Sequence, residues 1–225
     1  MSFKYPLATA TWDQKEIDAM HNVIASGDFT MGKKVSLFER NFSKYIGSQH
    51  AVMVNSGSSA NLIMIAALFY TKNPKLKLKR GDEVIVPAVS WSTTYYPLYQ
   101  YGLKIKFVDI DIETLNYDLV QLESAISNKT RVVLAVNLLG NSNDFDRINN
   151  IIDGKNIILL EDNCESMGAT FNDKKTGTFG VMGTFSSFYS HHISTMEGGL
   201  IATDDQELFQ ILISLRSHGW TRDLP

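Results

Sequence analysis

The 225-residue sequence predicts an α/β fold with a mostly parallel sheet covered by helices on both faces. Three observations lead there. Short β-branched runs alternate with helical segments from residue 51 onward. Runs such as VIV at 84–86 and IILL at 157–160 are apolar throughout, as strands buried on both faces are. Helical segments separate these runs, and that βα alternation builds parallel sheets.

The elements follow in order. Residues 13–26, DQKEIDAMHNVIAS, carry Ile17, Met20, Val23 and Ile24 at helical spacing, and Gly27 closes this opening surface helix. Residues 35–47 repeat the device, with Leu37, Phe38, Phe42, Tyr45 and Ile46 on one stripe and Gly47 as the stop. Then come AVMVNS (51–56) with a helix from 58, DEVIVPA (82–88) with a helix from 93, and KIKFVDI (104–110) with a helix over 118–126. RVVLAVN (131–137) precedes a helix near 144–153, followed by NIILLED (156–162), GTFSSFY (183–189), GLIATD (199–204) and a closing helix from 205. The lysine-rich KNPKLKLKRGDE, 72–83, reads as a solvated loop. No internal repeat or low-complexity linker interrupts the series.

Composition narrows the function. With 44% hydrophobic and 20% charged residues the chain buries a large core, as one sizeable domain or two small ones. A formal net charge of -3 provides no broad basic surface, which argues against nucleic acid as the main partner and favours small molecules. The apolar run NLIMIAALFY, 61–70, falls short of the ~20 residues that span a bilayer, so no membrane span is expected. Cys164 is the only cysteine, and the N-terminus lacks the basic start and apolar run of a signal peptide; a cytoplasmic location is expected. The sequence stops at HGWTRDLP directly after a helix, so the expectation is a part of a longer protein.

Ligands of such sheets sit beyond the carboxyl ends of the strands, and polar residues that a core has no use for collect there. In NSGSSANL, 55–62, Gly57, Ser58 and Ser59 open a helix after a strand; they form either an anion cradle of N–H groups and hydroxyls or an ordinary N-cap. Trp91 in VPAVSWSTTYY, 86–96, stands at the mouth of the sheet, as a stacking platform for a flat ligand or as core or interface filler. NIILLEDNCESMGA, 156–169, ends an apolar strand with Glu161, Asp162 and Glu165, costly places for carboxylates without a partner. Asp162 suits a protonated ring nitrogen; a helix cap or loop ion pair is the plain alternative. In FSSFYSHHISTMEGG, 185–199, Ser186 ends a strand and His191 follows five residues later, where an imidazole moves protons near neutral pH. His191, His192 and Glu197 also suggest a metal, but neighbours on a strand face opposite ways and no third spaced ligand is evident, so no metal is expected.

The order NSGSSAN, VPAVSWST, LLEDNCESMGA, FSSFYSHHISTMEGG and RSHG resembles the DegT/StrS family of nucleotide-sugar aminotransferases, which use pyridoxal 5'-phosphate on the type I aminotransferase fold. The likeness covers essentially the whole chain. It implies that Gly57 and Ser58 bind the cofactor phosphate and that Ser186 completes that site. It also implies that Trp91 replaces the aromatic stacked on the pyridine and that Asp162 pairs with the pyridinium nitrogen. Glu165 falls where the family has a ring-contacting glutamine. The lysine that anchors the cofactor covalently in this family is here His191. An imidazole cannot form that bond, which implies pyridoxal or pyridoxamine 5'-phosphate held non-covalently.

That replacement is similar to the family's small dehydratase branch. It implies a 3-dehydratase that removes the C3 hydroxyl of a nucleotide-linked 4-keto-6-deoxyhexose, with His191 as proton carrier and L-glutamate as amino donor. Within the branch the resemblance points to GDP-4-keto-6-deoxymannose, a sugar of colitose and lipopolysaccharide O-antigen synthesis. His192 is expected to support His191, and Gly198 and Gly199 to give it room. Another histidine branch uses an iron-sulfur cluster; Cys164 resembles its first ligand, but no later cysteine occurs, so no iron-sulfur cluster is expected. Residues 1–225 then read as the cofactor-binding large domain of a homodimer, helices 13–47 preceding a βα core, with a C-terminal small domain missing. Two alternatives stay open, an aminotransferase that returns an amino sugar and a truncated, non-catalytic domain.

Overall fold

The computed structural model describes residues 5, 8, 9 and 11–221; the end of the WTRDLP tail, 222–225, lies outside them. Two helices come first, α1 (Gln14–Ser26) and α2 (Lys33–Ile46). The chain continues through β1 (His50–Val54), α3 (Gly57–Tyr70), β2 (Glu83–Pro87), α4 (Ser92–Gln100), β3 (Lys104–Val108) and α5 (Leu119–Ala125). After β4 (Thr130–Val136) come a 3-10 turn (Leu138–Gly140), α6 (Phe145–Ile152) and β5 (Ile158–Asp162). A hairpin of β6 (Thr170–Phe171) and β7 (Lys174–Lys175), then β8 (Met182–Ser186), β9 (Gly199–Thr203) and α7 (Gln206–Arg216) complete the described elements.

Aspartates set most helix starts. Asp13 accepts from Lys15 N while its own N–H donates to Glu16, a capping box, and Gly27 at φ 72° ends α1. Asp118, Asp144 and Asp205 cap α5, α6 and α7 through first-turn N–H groups. These are the starts expected from the sequence to within a residue or two.

The seven-stranded sheet has the order β1-β9-β8-β5-β4-β2-β3. Pairs β2–β3, β2–β4, β4–β5 and β5–β8 are parallel, and β9 runs antiparallel to both of its neighbours. The consequence is geometric. The carboxyl ends of β1, β8, β5, β4 and β2, and the start of β9, lie along one edge. The register places Val54 and Ser186 opposite Gly199, Thr184 opposite Asp162, and Asp162 opposite Val136.

Helices α3, α4 and α7 cover one face over Val52, Met64, Leu68, Val86, Leu134 and Leu160. On the opposite face α5 and α6 close over Ile85, Val133, Phe145, Ile148 and Leu159, and α2 packs Phe42 and Ile46 on β1. The mostly parallel, doubly covered sheet is as expected, and no helix among the described residues is long and apolar enough to cross a membrane.

Three local expectations change. The 72–83 stretch is not simply solvated: Leu78 is buried in the main core with Leu76 packed beside it, and Asp82 is buried and accepts from Lys79 N, while the lysines stay outside. Alternation of leucine and lysine turns this loop into a lid with an apolar underside. The strand expected over 183–189 stops at Ser186, the residue also read as a strand end, because Ser187 N donates to Gly198 O and Ser187 O accepts from Thr195 N, closing a loop. The β6–β7 hairpin, whose strands hold two residues each, was not anticipated.

Candidate active site

Four segments meet at the sheet edge. After β1, Ser56 caps α3 by accepting from Ser59 N at 3.1 Å, and its hydroxyl also meets that of Ser59 at 3.2 Å. The cap is thus Ser56, one residue before the expected group. Ser59 is drawn into it, while Ser58 is exposed and the first N–H groups of α3, at Gly57 and Ser58, precede any intrahelical acceptor. The N-terminus of this 14-residue helix is positive by its dipole, so a cradle and a cap coexist here.

Gly57 is where the segments touch. A Cβ added there would lie 2.7 Å from Ser186 Cβ and 2.8 Å from Cys164 Sγ. Only glycine lets α3 come this close to the ends of β8 and β5. Gly199 plays the same part from the other side, since its Cβ would lie 2.3 Å from Ser56 O. Gly198 would strike the Ser187 and Thr195 hydroxyls. Both glycines are buried and serve close backbone approach; they do not open the room for His191 expected of them. Ser186 Oγ lies in this junction and accepts from Phe188 N at 3.2 Å.

The two carboxylates at the end of β5 have opposite fates, because neighbours on a strand face opposite ways. Asp162, 5% exposed, accepts at Oδ2 from Asn61 Nδ2 and Thr94 Oγ1, both at 2.8 Å, and at Oδ1 from Cys164 N at 3.1 Å. Among the described residues it neither caps a helix nor joins an ion pair. Glu161 is wholly buried and takes N–H bonds from Gly177 and Phe179 at 2.6 Å and Gly180 at 2.7 Å. Burial pushes its carboxyl up, while these N–H groups pull the other way. Glu161 is a clamp on the loop that leads into β8. Burial, reinforced by Asp162 alongside, pushes the Cys164 thiol well up, so it is a neutral packing group.

His191 lies in the loop between Ser187 and Gly198 and not on a strand, so strand alternation is not what separates it from His192. Its Nδ1 is 2.6 Å from Cys164 O, and the edge of its ring meets Phe188. These two residues hold the ring; His192 is exposed and lines the same cleft with Tyr189, Ser190 and Met196. A carbonyl only accepts, so Nδ1 carries the proton and Nε2 of the neutral ring is left with a lone pair. The N-terminal segment borders the same cleft, with Trp12 Nε1 donating to Ser194 O at 3.2 Å.

Two expected residues stand at the margin. Trp91, the N-cap residue of α4, is 72% exposed, so it is not core filler. Glu165 is half-buried, and its Oε2 accepts from Leu139 N at 3.2 Å in the 3-10 turn after β4. Asn61, Thr94 and Thr184, which surround Asp162, were not singled out in the sequence, where they look like ordinary polar positions of two helices and a strand.

Comparison with known proteins identifies the family. Residues 10–224 match the DegT/DnrJ/EryC1/StrS aminotransferase family. The chain is 66% identical over 221 residues to GDP-4-keto-6-deoxy-D-mannose 3-dehydratase of Escherichia coli O55:H7, covering 98% of this chain and 56% of that protein. The chain therefore spans little more than half the length of that relative. A crystal structure of a GDP-4-keto-6-deoxymannose-3-dehydratase variant with bound GDP-perosamine superposes with a TM-score of 0.96 at 65% identity, over 99% of this chain and 57% of that one. A structure of the same enzyme with a trapped PLP-glutamate geminal diamine matches equally, at TM-score 0.96 and 65% identity over the same shares. By sequence and by fold, this chain belongs to the DegT/DnrJ/EryC1/StrS aminotransferase family.

Proposed function

We propose that this chain is the cofactor-binding large domain of a 3-dehydratase that removes the C3 hydroxyl from a nucleotide-linked 4-keto-6-deoxyhexose. The observation that carries the reading is His191 in the loop after β8, its Nδ1 fixed by the O of Cys164, a residue that itself bonds Asp162 and packs against Gly57 at the α3 N-terminus. The relative with GDP-perosamine bound favours a GDP-linked sugar, GDP-4-keto-6-deoxymannose. The PLP-glutamate adduct of the same enzyme favours L-glutamate as amino donor.

The donor set fits pyridoxamine 5'-phosphate. The N–H groups of Gly57 and Ser58, with the Ser58 and Ser186 hydroxyls, suit a phosphate at a helix N-terminus. Trp91, exposed above the edge, is free to stack on a ring, and Asp162 offers a buried negative charge to a ring nitrogen. Glu165 stands where the family has glutamine, and its carboxylate holds the Leu139 turn. When bound, the cofactor supplies the amine that joins the sugar ketone and the conjugated ring that accepts an electron pair.

The chain's own part is proton transfer. His191 Nε2 would take a proton from the cofactor carbon that bears the amine and give it to the departing C3 hydroxyl, which leaves as water, while Nδ1–H stays on the Cys164 carbonyl and limits rotation of the ring. Having no ε-amine, His191 leaves the cofactor non-covalently held. The reading includes a homodimer and a cytoplasmic location. To test it, the protein is incubated with pyridoxamine 5'-phosphate, L-glutamate and GDP-4-keto-6-deoxymannose. Ammonia and a 3-deoxy-4-keto sugar are expected; a stable amino sugar would select an aminotransferase instead, and no turnover beside an active full-length relative would sink the reading for this chain.

A further inference from the structure

We infer that Asn61, together with Thr94, is a positioning residue that keeps Asp162 charged and aimed at a protonated ring nitrogen. The inference rests on the cofactor reading above and concerns residues that the reading itself does not use. A carboxylate as buried as Asp162 needs donors to remain ionised. Asn61 Nδ2 and Thr94 Oγ1 each lie 2.8 Å from the same oxygen, Oδ2. Both lone pairs of that oxygen are thereby filled, and no proton resides there.

The two donors are themselves oriented. Thr184 Oγ1 donates to Asn61 Oδ1 at 2.6 Å, which leaves the amide NH2 as the group facing Asp162. That amide also makes a long contact, 3.4 Å, with Thr93 O. Thr94 gives its only hydroxyl proton to Asp162, so the Ser90 hydroxyl, 2.8 Å from it, is the donor of that pair. Every hydrogen bond in the row Ser90, Thr94, Asp162, Asn61, Thr184 therefore points inward to the carboxylate. Donor chains of this kind polarise one another and favour negative charge at their meeting point.

The row also crosses the fold. Asn61 comes from the second turn of α3, Thr94 from the first turn of α4, Asp162 from the end of β5 and Thr184 from β8. Asn61, Thr94 and Thr184 are all buried, so water does not substitute for a lost member. Because α3 also carries Gly57 and Ser58, the row fixes the distance between the phosphate cradle and the carboxylate. The two ends of one cofactor are thus gauged by a single helix.

The test titrates ring-15N pyridoxamine 5'-phosphate into the full chain and into Asn61→Leu and Thr94→Val, with Thr94→Ser as the rescue. In the wild type the bound ring nitrogen is expected at its protonated chemical shift. Each variant should weaken binding about tenfold and move the resonance toward the unprotonated position, and Thr94→Ser should restore both. If Asn61→Leu does not fold, Thr94→Val, which exchanges one hydroxyl for a methyl, decides alone. A merely structural role would lower the unfolding temperature and leave the 15N position unmoved; that result, with wild-type binding intact, overturns this inference alone. A wild type that binds no pyridoxamine 5'-phosphate overturns the parent reading and this inference with it.

Discussion

The imidazole of His191 is tied to the main chain of Cys164, its Nδ1 donating to the Cys164 carbonyl across 2.6 Å. Cys164 N in turn donates to Asp162, so the imidazole and the carboxylate are fixed by the two ends of one residue. Replacing His191 with asparagine keeps the loop polar but removes the imidazole. His191→Asn should retain pyridoxamine 5'-phosphate within about twofold, while dehydration falls by about 10²–10⁴, the usual share of acid-base catalysis. Cofactor absorbance after gel filtration and single-turnover sugar assays check the two halves separately.

Glu161 should matter for stability. An amide at this position turns one side toward the N–H groups of Gly177, Phe179 and Gly180 with donors of its own. Glu161→Gln is expected to cost about 2–4 kcal/mol, and amide hydrogens at 177–180 should exchange faster. A urea midpoint equal to the wild type's would refute the clamp.

Gly57 is a steric hinge between three segments. An alanine methyl must displace Ser186 or Cys164, since its Cβ starts within 2.8 Å of both. Gly57→Ala should destabilise the protein by about 1–3 kcal/mol and weaken binding of inorganic phosphate and of the cofactor together. Unchanged phosphate binding in a folded variant would place the anion elsewhere.

Trp91 should behave in the opposite way. With 72% of its surface exposed it contributes little to the core, so Trp91→Ala is expected to leave stability within about 0.5 kcal/mol. Cofactor retention should nevertheless fall by about 1 kcal/mol through lost stacking, read as the dissociation constant of pyridoxamine 5'-phosphate. A drop in stability with no change in retention would return Trp91 to packing.

Glu207 gives a pH dependence. The Thr71 hydroxyl, first, and then Lys72 N hold its carboxyl below the usual range by hydrogen bonds at 2.6 and 2.8 Å. A lowered folded value contributes stability that is present above the unfolded carboxyl value of about 4.3 and is lost as pH falls through the folded one. Glu207→Gln should therefore lower the urea midpoint at pH 7, and the gap to wild type should narrow as pH falls below the unfolded value toward pH 3. A gap that is the same at both values would show that the ionised form is not what α7 uses to hold the end of α3.

Much of this was open to reading along the chain. Asp13, Asp118, Asp144 and Asp205 announce helix starts because a cap is a local hydrogen bond within three residues. Apolar runs announced the strands, and the rule that ligands gather at strand carboxyl ends collected Gly57, Trp91, Asp162 and Ser186 before any fold was known. His191 stood out because it falls five positions after Ser186, where the family that the chain resembles has its lysine.

Other features depended on partners far away. Glu161 and Asp162 are adjacent acids after the same apolar run, and with both faces of the sheet covered nothing local says which one turns toward the site. The choice was made by Asn61, 101 residues before Asp162, and by Gly177, 16 residues beyond Glu161. The loop that carries His191 looked like a continued strand until Ser187 met Gly198. The sequence by itself determined the elements, their caps and the types of residue at the strand ends, since these follow from interactions spanning a turn or a pleat. Tertiary structure alone decided which hydroxyl, amide and carbonyl meet each charge, because a buried ion takes its donors from whichever segments the sheet order brings to its side.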